Sequence, residues 1–394
     1  MRIALNGWFL AHHAHTGTSQ YLRALLEWLP QVAPQHQYSV VVPSSGTVLA
    51  PPDHSIHLHT VPCGASHLDK VRFEQWLFPR ACGKLRADVA HVPHWAPPLR
   101  SPAPIVVTIH DLIPNLLPEY QSGRLARLYF ALVTAATAGA SLVLADSEAS
   151  RDDILRELRL PEDKVRTIYL AAGPQYTAKG DWQVDDPIKQ KYGVEDGYVL
   201  YLGGFDARKN LRALLSAWTW AAGPIGQGYP LVIGGQLPQL DPTPPTALGA
   251  SGRSGGRLFE DYPALAKELG IADTVKFIGP VAEADKPALY RGASVFVYPS
   301  RYEGFGLPPL EAMACGVPVV ASDAASLPEV IGNAGYLIAP DDTRSLGASI
   351  ITCVVEQSVA ENLRARGLAQ AKKFSWEKTA RETAAAYEAA QAKG

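Results

Sequence analysis

The sequence predicts an α/β protein built from two Rossmann-like domains, and three observations predict it. Short apolar runs alternate with stretches of helical spacing along most of the 394 residues. Those runs are continuously apolar, which is how a strand reads when a parallel sheet is covered on both faces. The alternation stops over residues 171–190 and then restarts, as it would across a connection between two domains.

The first half opens with "RIALNG" as a strand. "SQYLRALLEWL" follows, placing Tyr21, Leu22, Leu25, Leu26 and Leu29 on one helical face. "YSVVV" is a second strand, and "PIVVTIHD" a buried strand that ends in polar residues. Residues 128–145, "LYFALVTAATAGASLVLA", carry no charge over 18 positions and test for a membrane span. Ala, Thr and Gly dominate the middle, so transfer into lipid gains little. The stretch reads instead as the end of a helix, a turn at Gly139 and a strand through Leu142, Val143 and Leu144.

"AAGPQYTAKGDWQVDDPIKQ" then lacks any sustained period and is rich in turn residues, so residues 173–194 are expected to be a linker. It separates domains over 1–172 and 195–374. In the second half "YVLYLGG", "PLVIGG", "VKFIG", "VFVYPS" and "VPVVAS" are strands, with helices over 211–220, near Ala288 and around Leu310. Residues 236–257 form a Pro/Gly/Ser-rich insertion expected to be a surface loop. The Ala- and Glu-rich tail from Ser375 reads as one helix capped by that serine.

Composition excludes several functions. A net charge of -2 leaves no basic footprint for nucleic acid. Cys63, Cys82, Cys315 and Cys353 share no metal-like spacing and do not suggest a disulfide framework, so a reducing, cytoplasmic setting is expected. The short run Ile3-Ala4-Leu5 is too brief for a signal-peptide core. His12, His13 and His15 invite a metal reading, but no nearby Cys or carboxylate completes a site, and no metal is expected. A nicotinamide cofactor is disfavoured because no G-x-G-x-x-G fingerprint occurs.

Ligands of parallel sheets collect at the carboxyl ends of strands, and several polar motifs fall there. After "SVFVYPS", Glu303-Gly304-Phe305-Gly306 forms a turn, and Pro308-Pro309 begins a helix carrying Glu311. The free amides of that helix start suit an anion. Taken alone, Glu311 could simply favour the helix dipole and Glu303 could be solvated. Arg208-Lys209-Asn210, just after "YVLYLGG", could neutralise a diphosphate or could be a solvated cation pair. His110-Asp111 ends another strand and invites a general-base reading, with a satisfied strand-end histidine as the plain alternative.

"PSRYEGFGLPPLEAMACGVPVVAS" resembles the E-x7-E signature of retaining GT-B glycosyltransferases of family 4, also called glycosyl transferases group 1. The resemblance runs on through "YLGGFDARKNLRALLSAW", "VKFIGPV", "SLPEVIGNAGYLIAPDD" and "FSWEKTA". In the first half it includes "ADVAHVPHWAPP", "TIHDLIP" and "ADSEAS". It implies the GT-B fold, two Rossmann-like domains facing a central cleft that closes during reaction. The first would be the acceptor side, with the C-terminal helix, 375–394, packed back on it, and the second would bind the nucleotide sugar. It implies that Glu303 faces the donor sugar's hydroxyls and that Glu311 holds the ribose. Amides around Gly304, Phe305, Gly306 and Leu307 would approach sugar and phosphates. Lys209 matches the family's phosphate-binding lysine. Many relatives have an arginine where this chain has Gly204, a role that Arg208 could take. His110 would stand beside the donor sugar and Asp111 would fix local structure or serve the acceptor side. Gly17, with Thr18 and Ser19, matches a flexible glycine loop that usually has two adjacent glycines.

"RKN" with "EGFGLPPLEAMACG" resembles the mannosyltransferase branch, implying GDP-mannose, with UDP-glucose or another UDP-sugar left open. The reaction implied is metal- and cofactor-free transfer with retention to a saccharide or lipid-linked glycan. Membrane association would be at most peripheral, at the inner face. The rivals are an epimerase or inverting transferase of the same fold and a non-catalytic nucleotide-sugar-binding subunit.

Overall fold

A computed structural model of the chain describes residues 1–12, 16–46, 54–117, 120, 124–238 and 259–393. The insertion expected over 236–257 therefore lies almost wholly outside the described residues, as do His13 and His15. The chain forms two compact units, Met1–Ala171 with Ser375–Gly394, and Ala172–Phe374.

The first unit contains β1 (Arg2–Asn6), β2 (Gln37–Pro43), β3 (His57–Val61), β4 (Val89–Val92), β5 (Ile105–Ile109), β6 (Leu142–Ala145) and β7 (Val165–Thr167). They pair in parallel in the order β3-β2-β1-β4-β5-β6-β7. Every residue of β4, β5 and β6 is buried, which accounts for their uninterrupted apolar character. Helix Gly17–Val32 buries Tyr21, Leu22, Leu25, Leu26 and Leu29, the face its spacing predicts. The uncharged 128–145 stretch resolves into helix Arg124–Ala138 and β6, and no described helix is long and apolar enough to cross a membrane.

Helix Trp376–Ala392 completes this unit. Ser375 caps it by accepting from Lys378 N. Tyr387 hydrogen-bonds His91 of β4 at 2.7 Å, and Thr379 Oγ1 donates to Tyr169 O at 2.6 Å.

The second unit contains β8 (Tyr198–Leu202), β9 (Leu231–Gly234), β10 (Val275–Gly279), β11 (Ala293–Tyr298), β12 (Val319–Ser322) and β13 (Gly335–Ile338). Their order, β10-β9-β8-β11-β12-β13, repeats the first six places of the other sheet. Each sheet is doubly wound and reverses direction at its first strand, between β1 and β4 and between β8 and β11. That reversal is where such sheets leave a crevice at the strands' carboxyl ends.

One expectation needs correction. Residues 173–194 are not a free linker but part of the second unit. Helix Trp182–Lys191 lies there, capped by Asp181, whose side chain accepts from Gln183 N. Asp185 turns inward to pair with Arg291 through both oxygens, at 2.7 and 2.6 Å. Pro187 and the exposed Trp182 and Val184 hide this helix from a reading by apolar period.

Candidate active site

In the second unit β8 runs out at Leu202, and a turn leads through a single 3-10 turn, Ala207–Lys209, into helix Leu211–Ile225. Asn210 stands at this entry in the left-handed region (φ 57°), which asparagine tolerates better than most residues. Its amide donates to Pro299 O and Pro340 O, tying the β8 turn to the loop after β11.

That tie brings Lys209 and Glu303 together across 94 positions. Lys209 Nζ lies 2.6 Å from Glu303 Oε1 and 2.6 Å from the Tyr298 hydroxyl. Arg208 Nη1 reaches the other carboxylate oxygen at 3.0 Å, and its Nε reaches Asp206 at 3.1 Å. Lys209 is 7% and Glu303 9% exposed, so neither is a solvated surface charge. Burial pushes the Glu303 carboxyl up, but Lys209 and Arg208 outweigh it and leave the group at about 2. Burial pulls Lys209 down while Glu303 holds it charged.

Beyond Glu303 the loop is pinned by Ser326, whose hydroxyl contacts Glu303 O at 3.0 Å and Phe305 O at 2.6 Å. Gly306 then adopts φ 108°, and a Cβ there would stand 2.8 Å from Leu327. Only glycine makes that turn without strain. Helix Leu307–Ala314 follows, with Pro308 and Pro309 in its first turn. Glu311 lies in the helix's second turn and is buried, so it is no surface partner of the helix dipole. Tyr290 donates to Glu311 at 3.0 Å. Burial raises Glu311 to about 7, with Lys286 opposing the shift and Glu283 adding to it. Beside it a cavity of about 240 Å³ opens at the ends of β8 and β9, lined by Gly203, Gly235, Gln236, Val281, Lys286 and Tyr290.

The first unit supplies His110, immediately after β5. Its Nδ1 lies 2.6 Å from Asp146 Oδ2, and its Nε2 lies 3.2 Å from Pro93 O. A carboxylate and a carbonyl both accept, so this pairing favours the imidazolium, with a proton on each nitrogen. Burial opposes that charge, but Asp146 outweighs it and raises the pKa above 6.5. A ring in the imidazolium form has no free lone pair with which to act as a general base. Asp111 adds to the upward shift of His110 through its charge, and its Oδ1 accepts from Ile113 N ahead of the short helix Ile113–Leu116. Gly17 is the first residue of its helix, behind Thr16 as cap, and a Cβ on it would meet nothing described within 4 Å. His12, the described member of the histidine trio, packs on Trp8 with ring centroids 4.5 Å apart.

The structure therefore gathers Arg208, Lys209, Glu303 and the Gly304–Leu307 turn at one sheet end, with Glu311 on the helix that follows. His110 and Gly17 lie in the other unit. Gly204 carries no side chain where relatives have arginine, a Cβ there would stand 3.1 Å from Asp206 Oδ2, and Arg208 shares Glu303 with Lys209. Sequence reading missed Asp146, Tyr290 and Tyr298. Asp146 sits inside "ADSEAS" at a strand end, a usable signal, whereas the tyrosines pass for ordinary members of apolar runs.

Comparison with known proteins identifies the family. The family model described as Glycosyl transferases group 1 matches residues 184–371, and that of Glycosyltransferase Family 4 matches residues 15–172. An O-antigen chain mannosyltransferase B of Escherichia coli is 37% identical over 285 residues, covering 72% of this chain and 69% of its own. The chain belongs to the glycosyltransferase group 1 family. A second relative of this glycosyltransferase, the serotype-specific mannosyltransferase WbdA of E. coli, is 31% identical over 70% of the chain, which spans only 32% of that longer protein. The GT-B fold is shared with sucrose-phosphate synthase from Thermosynechococcus elongatus, at a TM-score of 0.73 and 21% identity over the full length of both chains.

Proposed function

We propose that this glycosyltransferase moves mannose from GDP-mannose, with retention of configuration and without a metal, to a mannose-containing saccharide or lipid-linked glycan. The observation that carries the reading is the buried Arg208–Lys209–Glu303 cluster beside the amides that open helix Leu307–Ala314. Two cations and a helix N-terminus suit a diphosphate, whose charge grows as the glycosidic bond breaks. The names of the E. coli mannosyltransferases favour mannose as the sugar.

In this reading Lys209 and Arg208 hold the diphosphate, and the Gly304–Leu307 amides approach sugar and phosphate. Glu303 accepts from the sugar's hydroxyls and Glu311 from those of the ribose, with the base in the adjacent cavity. The bond between the anomeric carbon and the diphosphate oxygen breaks while the acceptor oxygen bonds that carbon from the same face. The acceptor's proton passes to a diphosphate oxygen, so no side chain is needed as base. His110, an imidazolium fixed by Asp146, contributes positive charge to the transition state. The enzyme works from the cytoplasmic side, touching a membrane peripherally if its acceptor is lipid-linked.

A thermal-shift series with GDP-mannose, UDP-glucose and ADP-glucose tests the donor, since a ligand bound only by the folded state raises the melting point. Selective stabilisation by GDP-mannose is expected, and selective stabilisation by UDP-glucose would reassign the base and sugar. NMR of the product anomer tests retention, and an inverted product overturns it.

A further inference from the structure

Outside this cluster the first unit buries a second set of ionisable groups. Helix His67–Arg72 passes into a single π-turn, Phe73–Leu77, and then into helix Phe78–Lys84. Widened turns of this kind often mark functional places. This one carries Glu74, which has no exposed surface. Its Oε1 is met by Lys70 Nζ at 2.5 Å and by His94 Nε2 at 3.1 Å, and its Oε2 accepts from the Tyr129 hydroxyl at 2.9 Å. Burial raises the Glu74 carboxyl, but the His94 hydrogen bond and the Lys70 charge outweigh it and keep the group ionised. With Nε2–H given to Glu74, His94 keeps an unprotonated Nδ1, which has no hydrogen-bond partner.

His94 follows Pro93, whose carbonyl takes the Nε2 proton of His110. His94 and Pro93 share one peptide, and the turn that follows is tight, with Ala96 N donating to His94 O at 2.7 Å. Fixing the His94 ring thus fixes the peptide that aims Pro93 O. We infer that Glu74 is a positioning residue which, through His94 and Pro93, holds His110 as a doubly hydrogen-bonded imidazolium. This rests on the proposed part of His110 in transfer. Asp146 grips one nitrogen directly, and Glu74 secures the grip on the other from a distance. The groups facing His110 are Asp146 and Asp111, the neutral His91 and His94, and the edge-on ring of Tyr21. None of them replaces the Pro93 carbonyl.

The test follows the full-length protein by nitrogen-15 NMR of its labelled imidazoles, with the His110 signals assigned by their loss in His110→Asn. In the native protein His110 should titrate above pH 6.5. In Glu74→Ala the midpoint should fall by about one pH unit as Nε2–H loses a fixed acceptor. In Glu74→Gln, whose amide oxygen can still accept from His94, most of that fall should be restored. His94→Ala, which leaves Glu74 with Lys70 and Tyr129, should repeat the Glu74→Ala result and serves if that variant does not fold. An unchanged midpoint in His94→Ala, or equal falls in Glu74→Ala and Glu74→Gln, would overturn the inference. Hydrolysis of GDP-mannose by the same variants separates the two readings. Undiminished turnover in His110→Asn defeats the part given to His110 while the titrations still decide the link to Glu74.

Discussion

The two sheets share one strand order yet carry opposite chemistry at their carboxyl ends. In the second unit carboxylates meet cations directly: buried Glu303 takes Lys209 and Arg208, and half-buried Asp206 takes Arg208. In the first unit, β4, β5 and the turns after them present histidines whose states are set one by one. His91, between Tyr387 and Thr108, is pulled by burial down to about 3 and is neutral. His110, between Asp146 and Pro93, is pushed toward its charged form. The fold fixes where a ligand can sit, and the partners of each polar group decide what that place can do.

The comparison breaks most sharply at Lys209. Lys209→Ala and Glu303→Ala should each lower sugar transfer about 10²–10³-fold, as loss of a major electrostatic contact does. Turnover within threefold of native in both, measured as nucleoside diphosphate release from the donor that binds, would sink the site assignment. Glu303 should also titrate higher in Lys209→Ala, because burial is then opposed by Arg208 alone.

Asp146→Asn comes next, with a fall in turnover of about tenfold. A group whose folded pKa is raised stabilises the fold fully below its unfolded value, near pH 6.5, and that contribution is lost as pH rises through the folded value. On the proposed role of His110, loss of its proton as pH rises should also make turnover decline on the alkaline side in the native enzyme. In Asp146→Asn the decline should begin at lower pH. A pH–rate profile that ignores the substitution would separate His110 from the reaction.

Glu311 predicts a smaller effect of opposite sense. Its raised pKa favours the protonated fold, so its contribution to stability is full below pH 4.5 and fades as pH rises through about 7. On the proposed role of Glu311 at the ribose, whose hydroxyls bind the ionised carboxylate better, affinity for the proposed GDP should rise about three- to tenfold from pH 6 to pH 8. Glu311→Gln should flatten that rise in a calorimetric titration. A rise that persists in the variant would move the titrating group elsewhere.

The smallest effect is expected at Gly17→Ala. Nothing described within 4 Å crowds the added methyl, so stability should change by less than about 1 kcal/mol in urea unfolding. A loss of turnover without a loss of stability would then place a ligand, not the fold, against Gly17.

Much of the fold was legible because β4, β5, β6, β8, β9 and β12 are buried along their whole length and write themselves as unbroken apolar runs, whereas the partly exposed edge strand β3 does not. Helix Trp182–Lys191 was not, since its anchoring contact is Asp185 to Arg291, a polar pair 106 positions apart that no local period reveals. The same limit applies at the site. Glu303 and Lys209 could be listed as candidates separately, and resemblance put them in one reaction, but spacing alone left each as a solvated charge. Glu74 was hidden more deeply. In "KVRFEQWLF" it looks like the polar face of a helix, and only the π-turn carries it inward.

Helix Trp376–Ala392 has a consequence for how the molecule is made. It belongs to the first unit but leaves the ribosome after every strand of the second. The later-coded unit therefore holds its full set of strands and helices while the earlier one still lacks the partner of His91. Until Tyr387 arrives, an imidazole meant to be sealed and neutral stands open at β4. A nascent chain halted near residue 374 should resist protease across 172–374 and remain sensitive across 1–171.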